Sequence, residues 1–253
     1  MDSMVRWLTA FLDIPGSTHD AASAFWATTL DGTIGPPRGD QGQFATLEPT
    51  AGDPCIRLQR FADGPRVHLD LHVEQPDLAR RHAEALGATH VADLGFHIMT
   101  TPSGFTFCLV SHDGEATRPT PAMTPHPVAF DTLCLDVPAA DFDAELEFWA
   151  GMVGLGWRAG EPAEFARIHV APGLPFSLLV QRLGDNDPGP TRAHLDLHCE
   201  ADSAMKIATA HTGRGAAVVG EFDGWILMRD PAGLPYCLVT GPIDDPPWTR
   251  RAA

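Results

Sequence analysis

Two short stretches of this 253-residue chain carry the residue types from which acid-base chemistry or a metal shell is built. His68-Leu69-Asp70-Leu71-His72 recurs letter for letter as His194-Leu195-Asp196-Leu197-His198. On an extended strand alternate residues share a face, so each histidine-aspartate-histidine trio projects to one side and the leucines to the other. An imidazole two positions from a carboxylate can be held in one tautomer and kept partly protonated, as a general acid or base requires. The same pattern also admits a structural reading, in which the aspartate ties down a loop amide and the histidine is a hydrogen-bonded core residue. Cys108 and Cys237 are the nucleophile candidates. Neither has a basic neighbour in the sequence to draw off its proton, so each reads as a small buried hydrophobe unless the fold supplies one.

The elements that must position these residues are themselves duplicated. Phe11-Leu12-Asp13-Ile14-Pro15 matches Cys134-Leu135-Asp136-Val137-Pro138, and Phe25-Trp26 matches Phe148-Trp149. Downstream, the segment Pro102 to Val110 matches Pro231 to Val239. The landmarks keep their order, so the chain is a tandem repeat. Each copy reads as strand, helix and several strands, then the same again. Arg6 to Ile14 predicts a strand, with Ser17 or Thr18 capping a helix to about Leu30. Val67 to Val73 predicts another strand, followed by a helix from Pro76 to Leu86 closed by a left-handed Gly87, with Gly213 in the matching place. In the second copy Asp141 or Asp143 caps a helix to about Val153. Prolines crowd residues 112–127, which predicts a linker between a domain at 1–111 and a second at 128–240, with a loose tail over 241–253.

Composition narrows the function classes. With 44% hydrophobic and 20% charged residues the chain is a folded protein rather than a disordered or fibrous one. Seventeen basic against 33 acidic residues give a net charge of -16, which repels phosphate backbones and anionic lipid. No nucleic acid or membrane partner is therefore expected. No run approaches the length of a membrane span and the first residues lack a secretory pattern, which predicts a cytoplasmic protein. Five cysteines without a C-x-x-C pair argue against a disulfide framework or zinc knuckle. Neither a G-x-S-x-G elbow nor a nucleotide-binding glycine loop occurs.

The H-L-D-L strand, the Phe-Trp helix and Asp230-Pro231-Ala232-Gly233 before a final strand, in order and twice over, resemble the vicinal oxygen chelate superfamily and its glyoxalase and bleomycin-resistance-like members. The resemblance implies an α+β fold of two tandem domains, each a pair of βαβββ modules forming a curved, cup-shaped mixed sheet around a small molecule. It places the usual ligand positions at Thr9, Arg57, His68 and Cys108 in the first cup and at Thr132, Leu179, His194 and Cys237 in the second. Only the histidines match the usual ligand type. A guanidinium at Arg57 opposes a cation, Leu179 offers no donor, and a cysteine with a histidine gives two donors where a catalytic site takes three. No metal or other cofactor is therefore expected.

The sequence thus names His68, Asp70, His72, His194, Asp196 and His198 as catalytic candidates. Thr9, Arg57, Phe96, His97, Cys108, Thr132, Trp225 and Cys237 are the ligand-binding ones. Arg57 suits a carboxylate or enolate oxygen, or a salt bridge to Asp70. Phe96 and Trp225 occupy matching places as a wall or as core. His97 stands where the second copy has Ile226, so the two cups cannot be chemically equal. Three functions remain open: a metal-free binder of a small oxygenated molecule, with or without turnover; a metal-dependent isomerase, lyase or dioxygenase with ligands such as His72 or His97; and a degenerate interaction protein. Either a monomer or a homodimer is compatible with two fused domains.

Overall fold

The computed structural model describes residues 4–241, apart from 62, 115, 123, 125, 154, 185, 186 and 188. The expected tail beyond Gly241 lies outside the described residues. The first repeat runs β1 (Val5–Pro15), α1 (His19–Thr29), β2 (Gly32–Ile34), β3 (Phe44–Pro49), β4 (Ile56–Phe61), β5 (Arg66–Val73), α2 (Pro76–Ala85), β6 (Thr89–Asp93), β7 (His97–Thr100) and β8 (Thr106–Ser111). The second runs β9 (Ala129–Val137), α3 (Phe142–Val153), β10 (Trp157–Ala159), β11 (Phe165–Ile168), β12 (Ser177–Arg182), β13 (Arg192–Cys199), α4 (Ala204–Thr212), β14 (Ala217–Phe222), β15 (Trp225–Arg229) and β16 (Pro235–Thr240). Each repeat forms one open, mixed, eight-stranded sheet, ordered β2-β3-β4-β1-β5-β8-β7-β6 and β10-β11-β12-β9-β13-β16-β15-β14. The α+β fold of two paired βαβββ modules is therefore present in both halves.

The chain packs as two compact units that do not follow the repeats. Unit 1 combines the second module of the first repeat with most of the first module of the second (described residues of Met1–Ala10, His68–Ala116 and Leu133–Ala193). Unit 2 combines the remaining modules (described residues of Phe11–Val67, Thr117–Thr132 and His194–Ala253).

In unit 1, α3 lays Phe148 and Trp149 on Phe107 of β8, with ring centroids 5.5 and 5.7 Å apart. Burying aromatic side chains of this size stabilises by about 1.5–3 kcal/mol each. A carboxylate closes the contact. Glu145 of α3 accepts the Trp149 indole N–H at 2.8 Å and the Ser103 hydroxyl at 2.7 Å, fixing the Pro102-Ser103-Gly104 turn. Between the helices, the His82 ring meets the Gly151 carbonyl at 3.2 Å. A Cβ on Gly151 would come within 2.8 Å of Leu86, so that glycine makes room for the leucine.

In unit 2, α1 places Phe25 and Trp26 against Tyr236 of β16, at 5.8 and 5.3 Å. Here the carboxylate comes from the turn. Asp230 Oδ2 accepts the Trp26 indole N–H at 2.8 Å, while Oδ1 accepts the amides of Ala232 and Leu234. The proline-rich segment also belongs to this unit. Thr117 exchanges two 2.7 Å bonds with Asp53, and Thr120 donates to the Ala51 carbonyl. Gly52 has φ +85°, and a Cβ there would strike the Arg118 carbonyl, so the segment rests directly on that turn.

Two expected caps differ. The Thr18 hydroxyl donates back to the Pro15 carbonyl rather than accepting a helix amide. Gly213 is right-handed at φ -61°, and the left-handed residue is Gly215, because α4 ends in a turn carried on through Arg214.

Candidate functional site

Strand register builds one histidine-aspartate-cysteine group in each unit. In unit 2, parallel pairing of β13 with β16 sets Asp196 beside Cys237 and His198 beside Val239. Antiparallel pairing of β16 with β15 then sets Cys237 beside Leu227 and Val239 beside Trp225. Paired residues share a face, so His194, Asp196, Cys237 and Trp225 lie on one side. On that side Leu227, Trp225 and Val239 are only half-buried, whereas Ile226, Met228 and Leu238 opposite are buried under the helices. The imidazoles face the more open side of the sheet. His194 Nε2 stands 3.2 Å from Asp196 Oδ1, and both side chains are buried. Their ligating atoms and the Cys237 sulfur all lie within 4.8 Å of one another.

Unit 1 repeats the arrangement. Pairing of β5 with β8 places Asp70 beside Cys108, and His68 Nε2 is 3.7 Å from Asp70 Oδ1. The ligating atoms of His68, Asp70 and Cys108 likewise lie within 4.8 Å of one another.

The third residue of each trio leaves the group. His72 meets the Thr9 hydroxyl at 2.9 Å, a neutral partner. His198 instead bonds through Nδ1 to the Asp131 carboxylate, at 2.8 Å to Oδ1 and 2.7 Å to Oδ2. Burial pushes the Asp131 carboxyl up to about 6, against the opposing pull of His198 and Thr132. The sequence reading missed Asp131. Its signal was an acid in a buried strand, at the position where the first repeat has Leu8.

Other candidates fall as follows. Ile98 of β7 pairs with Cys108, so His97 points to the other face, where its Nε2 meets Asp77 of α2 at 3.1 Å. Its expected place beside the ligand is corrected by that register. Phe96 is half-buried just before β7. Trp225 stacks on Phe222, rings 5.1 Å apart and 14° from parallel, at the rim of the open face. The Arg57 guanidinium lies over the Phe11 ring, 5.9 Å from its centroid. Thr132 is buried on β9 beside Asp131. All five cysteines are free and buried, and desolvation raises Cys55 to about 12 and Cys199 to about 11, so neither is a thiolate at neutral pH.

The sequence counted two donors per site; the fold brings a third, the aspartate. A histidine nitrogen, a carboxylate oxygen and a thiolate sulfur are the ligand types and number of a catalytic zinc site. Asp196 Oδ1 is moreover buried without a hydrogen bond among the described residues, despite the nearby imidazole. An orphaned carboxylate oxygen with an imidazole nitrogen and a cysteine sulfur close by fits a divalent transition metal.

Residues 10–110 and 132–239 each match the glyoxalase-like domain family. The chain belongs to that family. No curated protein matches this glyoxalase-like chain by sequence. Among solved structures it is similar to the Mn(II)-bound glyoxalase from Novosphingobium aromaticivorans, with 17% identity, TM-score 0.61, and coverage of 94% of this chain and 83% of that one. It is also similar to the 2,3-dioxygenase LapB from Pseudomonas sp. KL28 (13% identity, TM-score 0.63, coverage 98% and 97%). A third is the 2,2',3-trihydroxybiphenyl 1,2-dioxygenase from Sphingomonas wittichii strain RW1 (15%, 0.60, 95% and 91%). These likenesses identify the shared fold of tandem vicinal oxygen chelate domains. Among the described residues no helix is long and apolar enough to cross a membrane.

Proposed function

We propose that this glyoxalase-like protein binds a small oxygenated organic molecule on the open face of each unit, with the buried imidazole-carboxylate pair handling a ligand proton. The observation that carries the reading is the pairing of His194 with Asp196, and of His68 with Asp70, on the sheet face turned away from the helices. Nε2 faces the carboxylate, so a proton accepted there from a hydroxyl or activated C–H arrives beside Asp196 Oδ1, which stabilises the imidazolium. The half-buried rim of Trp225 and Leu227 supplies apolar contact for the ligand body. Five free cysteines support a reducing, cytoplasmic setting, and the negative charge supports a partner that is neither nucleic acid nor membrane.

One observation favours a second reading. The three-donor group with its orphaned Asp196 oxygen fits a divalent metal held by His194, Asp196 and Cys237. Such an ion would polarise a ligand oxygen as a Lewis acid.

Thermal-shift screening of hydroxy and oxo acids, aldehydes and phenols against the wild type, His68→Ala and His194→Ala tests both readings, alongside elemental analysis of untagged protein. A stabilising ligand whose effect is lost in either variant supports binding at that pair. Stoichiometric zinc, iron, manganese or nickel that disappears in Cys237→Ala selects the metal reading. Ligand responses that survive both histidine variants overturn the assignment.

A further inference from the structure

Unit 2 contains a cavity of about 260 Å³ on the helix side of its sheet, away from the His194 group. It lies between α1, α4 and the segment leading into β9, with Thr28, Thr29, Val128, Ile207, His211 and Arg214 among its walls. Among the described residues, unit 1 fills the corresponding place. The turns after α2 and α4 close with the same bonds, Ala88 N to Ala83 O and Ala216 N to His211 O, which aligns Leu86 with Arg214. The repeat spacing aligns Gly151 with Thr28. In unit 1 Leu86 fills the space over Gly151, and His82 reaches the Gly151 carbonyl. In unit 2 an arginine replaces that leucine, Ala210 replaces that histidine, and the space stays open.

The groups left facing it are polar in a particular way. Thr29 is 2% exposed, and its hydroxyl has no hydrogen-bond partner among the described residues. Arg214 spends Nε on the Ala210 carbonyl at 3.3 Å, and its guanidinium carbon lies 5.6 Å from the Phe25 ring centroid. Among the described residues it makes no ion pair, in a chain with almost twice as many acids as bases. Burial lowers its hold on the proton, the signature of a cation partly stripped of water. His211 gives Nδ1 to the Tyr236 hydroxyl at 2.8 Å, and desolvation lowers it to about 3, so it stays neutral and does not compete for the anion. One guanidinium without an ion pair and one orphaned hydroxyl, with Val128, Ile207 and Ala210 as the aliphatic part of the walls, match a singly charged planar anion with a hydrocarbon body.

We propose that this cavity binds a small monocarboxylic acid with an apolar body, its carboxylate on Arg214 and Thr29 and its hydrocarbon against Val128 and Ile207. The site is independent of the sheet-face site proposed above.

Benzoate is the probe, titrated calorimetrically into the full chain while the Ile207 methyl is followed by carbon-13 NMR, with benzyl alcohol as the uncharged control. The expected result is saturable binding that moves the Ile207 methyl. Binding weakens at least about tenfold in Arg214→Leu, which installs the residue unit 1 uses, and in Arg214→Gln as a second variant. Thr29→Val weakens it less, and His194→Ala leaves it unchanged. Absence of saturable benzoate binding, equal affinity in both Arg214 variants, equally tight binding of benzyl alcohol, or loss of binding in His194→Ala would each overturn the proposal.

Discussion

Units 1 and 2 solve one packing problem with the same parts in different hands. Each must give an acceptor to a buried tryptophan N–H and fix a tight turn before a central strand. In unit 1 the acid is Glu145 on the helix, and the turn carries Thr101; in unit 2 the acid is Asp230 in the turn, and the helix carries Ala22. The duplication has kept the carboxylate's task and let its position migrate. The same lesson applies on the open faces: both retain a histidine, an aspartate and a cysteine in register, while the outer histidine leans on a neutral threonine in unit 1 and on a buried acid in unit 2.

The largest expected effect breaks the first comparison. Glu145→Ala strands the Trp149 indole N–H and the Ser103 hydroxyl in a buried contact and should destabilise the fold by about 3–5 kcal/mol in urea unfolding. Adding Thr101→Asp places the acid where unit 2 has it and should recover about half of that loss. No recovery would mean that the two carboxylates are not equivalent.

The second prediction sharpens the contrast at the outer histidines. Because burial lifts Asp131 to about 6 from its ordinary value near 4, the folded state keeps a proton there that the unfolded state releases. Stability supplied by this group is present below about pH 4 and is lost as pH rises towards 6. Across that window wild type should lose stability relative to Asp131→Asn by on the order of 2 kcal/mol, measured as unfolding free energy against pH. Glu145 and Asp230, also raised by burial, are common to both proteins and cancel in the difference. Parallel pH profiles would place the ionisation elsewhere.

Smaller still is the effect between the helices. Gly151→Ala presses a Cβ on the Leu86 methyls, which can rotate away, and should cost about 1 kcal/mol. Thr28→Ala, beside the open cavity of unit 2, should change stability by less than about 0.5 kcal/mol. Equal costs, read from urea midpoints, would mean that unit 2 is as tightly filled as unit 1.

How much of this was legible follows from what a strand pattern can encode. Identity between His68-Leu69-Asp70-Leu71-His72 and its copy showed the duplication, and alternation placed each histidine-aspartate pair on one face. Alternation fixes parity within one strand and says nothing about its neighbour. The side taken by His97 therefore depended on the pairing of Ile98 with Cys108, and the third donor on the pairing of Asp70 with that same cysteine. Module exchange was hidden for a related reason: Trp26 bonds Asp230, 204 residues away, and nothing local records that partner. Edge strands such as Gly32–Ile34 lack an apolar pattern because they are scarcely buried.

The most direct measurement is a histidine side-chain proton-nitrogen NMR spectrum of the protein saturated with a stabilising ligand from the screen. The account predicts that the ring signals of His194, His68 or both shift, while those of His97, held by Asp77 on the opposite face, stay in place. Movement of His97 with His68 and His194 unchanged would contradict it.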